Sequence, residues 1–180
     1  MALIDVNGIK FGFLNYNSIP GSLNAGIGTP GVSFVHLKPW EKEDRQADID
    51  TMLSDISAMR LQCDVLVVIM HWGVEYKGVA PMQVNLAHNF IDSGADIVIG
   101  THPHVVQPVE VYKNKIIAYS LGNFVFDQMQ SDETREGYML QIYLSGKDLT
   151  GFKVFPYKIY DYAQPRWEAN PALLQKVMPK

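Results

Sequence analysis

Three histidines and one glutamate carry the chemistry this sequence offers. They lie in His71-Trp72-Gly73-Val74-Glu75 and Gly100-Thr101-His102-Pro103-His104, and each string stands where a buried apolar run ends. Neutral imidazole is a good ligand for Zn, Mn, Fe or Ni. In an extended chain His102 and His104 project to the same side, and Pro103 pushes the residue before it out of the helical region. Neighbouring strands run about 4.8 Å apart, so a histidine ending one strand can share an ion with two that follow the next. Any one of these histidines alone reads more simply as a hydrogen-bonded structural residue, whereas three at one sheet edge favour a metal site built from His71, His102 and His104. A bound divalent ion brings the pKa of its water down toward roughly 7 and stabilises negative charge on a phosphoryl or carbonyl oxygen. Glu75 is suited to acid/base work beside His71 or to orienting a ligand, with a salt bridge to Lys77 or an arginine as the plain alternative.

The elements that must position these groups are legible on either side of them. The runs at 64–70 and 96–100 are apolar and rich in Val and Ile, as in central parallel strands covered on both faces. Between them Pro81 suits a helix start, Val84, Ala87, Phe90 and Ile91 share a face, and Gly94 supplies the stop. A strand-helix-strand unit puts all three histidines on the carboxyl edge of one sheet, where open α/β sheets bind ligands. Asp64 and Asp96 precede their strands and belong to the opposite edge. Upstream, residues 8–16 predict a strand, 17–31 a surface loop without a P-loop ending, and 32–36 a second short strand. Ile49, Met52, Leu53, Ile56 and Met59 then form the apolar stripe of a helix. Downstream, 109–112 and 116–119 read as a hairpin, 138–144 and 152–159 as another, and the tail from Asp161 as a surface wrap anchored by Trp167. The expected architecture is α/β, a parallel β-α-β core followed by antiparallel β-hairpins. It forms one domain over 1–180, with the histidine motifs in 1–127 and the hairpin and wrapping tail in 128–180.

Bulk properties narrow the function. The 180 residues, 47% of them hydrophobic, suffice for one domain with a proper core. A net charge of −4, from 15 basic and 19 acidic residues, gives no broad electrostatic grip on nucleic acid. The single cysteine, Cys63, excludes an intramolecular disulfide. No segment reaches the roughly 20 apolar residues of a membrane span, and no signal-type segment opens the chain, which therefore reads as soluble. With no Gly-x-Ser-x-Gly elbow, metal-activated water is a better prospect than a serine nucleophile. Ser120 and Asn123, at the end of another strand, are candidates to reach a substrate oxygen, and Arg135 to clamp an anion; an Asn turn and a solvated charge run are the plain alternatives.

Four strings in order, His71 to Glu75, Pro81-Met82-Gln83, residues 95–104 and Tyr119-Ser120-Leu121-Gly122-Asn123-Phe124, resemble the CapA family of bacterial capsule-synthesis and poly-γ-glutamate biosynthesis proteins. The resemblance is densest over 64–127. It implies a partial calcineurin-like metallophosphoesterase sandwich in which His71, His102 and His104 are metal ligands for Mn, Zn or Fe. The same pattern has an earlier half, with Asp-x-His, Gly-Asp and Gly-Asn-His strings, that this chain lacks. The resemblance therefore implies the C-terminal part of a larger protein, with an incomplete metal site and little or no hydrolase activity by itself. Implied partners are poly-γ-glutamate or a phosphoester substrate and capsule-synthesis membrane proteins at the bacterial surface, with no nucleic acid. A truncated sheet would also favour homo-oligomers. The rival readings are a non-enzymatic surface scaffold for an anionic polymer and a metal-dependent phosphodiesterase.

Overall fold

The computed structural model describes residues 1–21 and 23–179. It opens with β1 (Ala2–Val6), which turns through Asn7 and Gly8, at φ 53° and 80°, into β2 (Ile9–Asn17). Asn-Gly is the usual sequence of such a type I′ hairpin turn. The sequence reading placed a strand at 8–16 but not this antiparallel partner. Then follow α1 (Gln46–Arg60), β3 (Val65–His71), α2 (Pro81–Asp92), β4 (Ile97–Thr101), β5 (Val109–Tyr112), β6 (Lys115–Ala118), α3 (Asp132–Arg135), β7 (Glu136–Ser145), β8 (Asp148–Tyr160), β9 (Gln164–Trp167) and α4 (Pro171–Val177).

Six strands form a mixed sheet in the order β1-β2-β3-β4-β6-β5, with β2, β3, β4 and β6 parallel and the edge strands β1 and β5 antiparallel. A second, antiparallel sheet is β7-β8-β9. The architecture is the expected mixed α/β one. Side-chain alternation along β3 sets the layers: Leu66, Val68 and Met70 face α1 and α2, packing with Met52, Ile56, Met59, Leu86 and Phe90, while Val65 and Val67 face the tip of the β7–β8 hairpin at Ile142, Leu144 and Leu149. Each such side chain contributes about 1.5–3 kcal/mol of burial. The β2–β3–β4 register sets Asn17 opposite His71 and His71 opposite Thr101, so three strand ends finish together at one rim. At the other rim Asp96 accepts from Arg60 and Lys115, each at 2.5 Å, and Asp64 from the Lys10 backbone at 3.0 Å, which keeps both carboxylates away from the histidines.

Two sequence expectations are corrected. Residues 32–36 form isolated bridges, Asn24 with Val32 and Asn17 with Phe34, rather than a strand, because Pro30 and the glycines around it break regular pairing. The tail is no loose wrap: it adds β9 to the second sheet and ends in α4, whose Leu173 and Val177 are buried. Trp167 is 62% exposed and touches Phe155 and Tyr157 only at their edges, so α4 supplies the anchor instead. No helix among the described residues is long and apolar enough to cross a membrane.

Candidate metal centre

The rim is assembled by backbone ties between the two histidine motifs. Trp72 N donates to Thr101 O at 3.1 Å and Tyr76 N to Pro103 O at 2.8 Å, so the loop leaving β3 lies along the loop leaving β4. Gly100 permits this closeness: a Cβ there would fall 1.9 Å from Tyr119 O and 2.5 Å from Trp72 Nε1. Gly73, at φ 90°, turns the chain out of β3 against the buried Gln83. Trp72 is fully buried behind the rim, donating to Tyr119 O at 3.1 Å.

His71 and His102 have ring centroids 4.9 Å apart, and His102 and His104 5.6 Å apart. The convergence does not come from an extended His102-Pro103-His104 segment: both histidines have positive φ, 97° and 59°. A tight turn brings the two rings together, and this sparsely populated backbone is held by the surrounding ties. One ligand atom each from Glu75, His102 and His104 lie within 4.8 Å of one another. Metal bonds to imidazole and carboxylate run at about 2.0–2.2 Å, so modest side-chain rotation would gather all three around one ion.

His102 is 7% exposed, and its Nε2 is the one buried side-chain polar atom among the described residues without a hydrogen-bond partner. Such an orphan costs about 1–3 kcal/mol unless something fills its bonding position. Burial, then the neighbouring His71 and His104, push the His102 pKa down to about 4; burial, then His104, lower that of His71. Both rings are therefore neutral at neutral pH, the form that ligates metals. His71 Nδ1 lies 3.0 Å from Thr101 Oγ1, and His104 Nδ1 2.8 Å from Asn123 Oδ1.

An aromatic collar surrounds the histidines. Trp40 stands edge-on to His102 at 5.8 Å, while Tyr76 and Phe126 lie against His104 at 6.1 and 5.1 Å. On one side a cleft of about 560 Å³ opens between His71 and the loop carrying Asn17, Pro20 and Leu23. On the other a cleft of about 370 Å³ runs past Tyr76, Lys77, Val105 and Lys176.

The structure brings together His71, Glu75, His102 and His104, and Glu75 stands among the possible direct ligands rather than behind them. It does not add the three residues read as substrate contacts. Ser120 is buried, with its hydroxyl donating to Val105 O at 2.8 Å and accepting from Gly122 N at 3.3 Å. Asn123 is buried and bonded on both sides of its amide. Arg135 turns to the second sheet, where Nε donates to Ile159 O at 3.0 Å and the guanidinium lies 5.5 Å from the Tyr160 ring centre. Sequence reasoning missed Thr101, Gln107, Gln128 and the collar. Gln83, buried in α2, accepts from Ala80 N and donates to Gln107 Oε1, and Gln107 donates to Lys77 O; this relay fixes the loop that carries Glu75. Polar residues inside apolar runs, such as Gln83 and Gln107, were the available signal.

Comparison with known proteins follows the same residues. The family described as bacterial capsule synthesis protein PGA_cap matches residues 1–128. The PGA biosynthesis protein CapA of Bacillus subtilis (strain 168) is 36% identical over 173 residues, covering 95% of this chain and 40% of that protein. The capsule biosynthesis protein CapA of Bacillus anthracis is 41% identical over 117 residues, covering 62% of this chain and 28% of that one. A probable polyglutamine synthesis accessory protein of Mycobacterium tuberculosis is 33% identical over 113 residues, with 62% and 28% covered. The chain thus spans less than half the length of the curated relatives it matches. A crystal structure of a hypothetical protein from Thermus thermophilus superposes with a TM-score of 0.53 at 13% identity, over 87% of this chain and 61% of that one, a likeness of fold alone. The motifs that build the rim lie inside the family match, and the chain belongs to the CapA family of bacterial capsule synthesis proteins.

Proposed function

We propose that this chain carries part of a divalent-metal centre of metallophosphoesterase type in a protein that serves capsule or poly-γ-glutamate formation. One observation carries the reading: Glu75, His102 and His104 offer ligand atoms within 4.8 Å of one another, and His102 Nε2 is buried with no other partner. His102, His104 and Glu75 would hold the ion and His71 would complete the set, with Mn, Zn or Fe suited to such nitrogen and oxygen donors. When bound, the ion supplies an activated water and polarises a phosphoryl or carbonyl oxygen. Glu75, exposed at the mouth, would hold the ion or, where it does not, accept a proton from its water, and Trp40, Tyr76 and Phe126 pack against the histidines. The name of the Bacillus subtilis relative, a PGA biosynthesis protein, favours poly-γ-glutamate as substrate, and the chemistry of a divalent ion suits a phosphoester equally.

Glu75 is the cluster's only carboxylate, whereas two-metal hydrolysis uses ligands shared between ions. The expected behaviour is one ion bound and little or no turnover by this chain alone. The scaffold reading draws support from β1 and β2, where Ile4 and Val6, 51% and 48% exposed, share a face with Phe11 and Phe13 and offer an apolar docking surface for another layer or membrane partner. Elemental analysis of the purified chain after loading with Mn, Zn or Fe tests the proposal. About one ion per chain, lost in His102→Ala, is expected; equal metal content in both proteins would refute it.

A further inference from the structure

We infer that Asn123 and Thr101 are positioning residues that fix which nitrogen of His104 and His71 is free to bind a ligand. Neutral imidazole has one N–H and one lone pair, and the partner of one nitrogen decides the role of the other. Asn123 has an unambiguous amide orientation. Its Nδ2 faces three acceptors, Thr134 O at 2.9 Å, Gln128 Oε1 at 3.2 Å and His104 O at 3.5 Å, so that side must carry the hydrogens. Gln128, whose Oε1 accepts from Asn123, in turn has its Nε2 3.1 Å from Tyr76 Oη. Asn123 Oδ1 therefore faces His104 Nδ1 as a pure acceptor at 2.8 Å, and Nδ1 must carry the proton. The lone pair of His104 is left on Nε2.

The same logic holds on the neighbouring strand. Met70 O, 3.3 Å from Thr101 Oγ1, can only accept, whereas His71 Nδ1 at 3.0 Å can donate; both contacts are satisfied together only when the hydroxyl proton goes to Met70 O and Nδ1 carries its own proton, which leaves the His71 lone pair on Nε2. Two histidines from different segments, their ring centroids 4.9 and 5.6 Å from that of His102, thus leave the same nitrogen free. Partners behind ligand histidines typically change metal affinity by about 10–100-fold. The consequence for affinity rests on the metal-centre reading; the tautomer assignment does not.

Nitrogen-15 NMR of the imidazoles, at pH 8 and without metal, reads the tautomers directly, and a Zn²⁺ competition titration reads affinity. Wild type should show Nδ1 protonated and Nε2 unprotonated in His104 and His71. Asn123→Ala should let His104 populate both tautomers and weaken Zn²⁺ binding about 10–100-fold, and Thr101→Val should do the same to His71. If Asn123 served only to brace the Thr134 and Gln128 loop, the His104 tautomer would stay fixed in Asn123→Ala. Protonated Nε2 in wild-type His104 or His71, or an unchanged His104 tautomer in Asn123→Ala, overturns the inference. Absence of any Zn²⁺ uptake by wild type, with the tautomers as assigned, overturns the metal reading and its affinity consequence instead.

Discussion

Tyr76 N donates to Pro103 O at 2.8 Å, and this single backbone bond joins the loop that carries Glu75 to the turn that carries His102 and His104. It brings a carboxylate from one strand end within reach of two imidazoles from the next. Glu75→Gln keeps the shape but removes the charge, and it should weaken Zn²⁺ binding at least about tenfold, as expected for loss of a charge-assisted contact. Calorimetric titration checks it; unchanged affinity would make Glu75 a solvated surface residue.

Acid should reach His102 late. With its pKa pushed down to about 4, His102 stays neutral well below the ordinary histidine value near 6.5, and His71 is shifted in the same direction. Proton competition at His102 should therefore leave metal uptake largely intact between pH 7 and pH 6. A His102 imidazole that titrates near 6.5 in the metal-free chain, read by NMR, would contradict the burial argument.

The same shift has a stability sign. In the metal-free chain the folded state binds a proton at His102 less readily than the unfolded one, so the stabilisation is fully present above about pH 6.5 and erodes as pH falls toward 4. The loss amounts to roughly 2–3 kcal/mol at most. Urea denaturation at pH 7 and pH 4.5 should show a shallower acid loss for His102→Gln than for wild type. Parallel losses would assign the acid sensitivity to other groups.

Gly100→Ala should be severe. The added methyl would sit 1.9 Å from Tyr119 O and 2.5 Å from the Trp72 indole nitrogen, both in the packed core, so the β4 end must move away from β6. A loss of about 3 kcal/mol or more is expected from such overpacking, measured by thermal or urea unfolding. A near-neutral variant would mean that the rim is more compliant than its packing implies.

The apolar side of β1 gives a prediction about association. Ile4 and Val6 stand exposed on an edge strand beside Phe11 and Ile9, an arrangement that invites pairing with another chain. Sedimentation velocity should show reversible self-association at high concentration, abolished by Ile4→Lys with Val6→Lys. A strictly monomeric wild-type profile would contradict it.

What the sequence disclosed follows a physical division. The β3–α2–β4 unit was legible because strand ends, helix period and stop signals are local, and its parallel wiring then puts both histidine strings at one rim. The rim was foreseen for a reason that does not hold: His102 and His104 meet through a left-handed turn, which alternation in an extended chain could not reveal. Ser120, Asn123 and Arg135 have the residue types of substrate contacts, yet Ser120 Oγ bonds Val105, Asn123 Oδ1 bonds His104 and Arg135 Nε bonds Ile159, partners visible only after folding. The collar was illegible for the same reason, since Trp40, Tyr76 and Phe126 sit in loops distant in sequence. β1 was missed although Asn7-Gly8 announced its turn.

Anomalous diffraction at the zinc edge, from crystals of this chain grown with Zn²⁺, addresses the metal centre most directly. A single peak about 2.0–2.2 Å from His102 Nε2, a His104 nitrogen and a Glu75 oxygen is the expected result. Zinc bound only elsewhere, or no peak with the His102 ring still buried and unpartnered, would show that the rim is not a metal site.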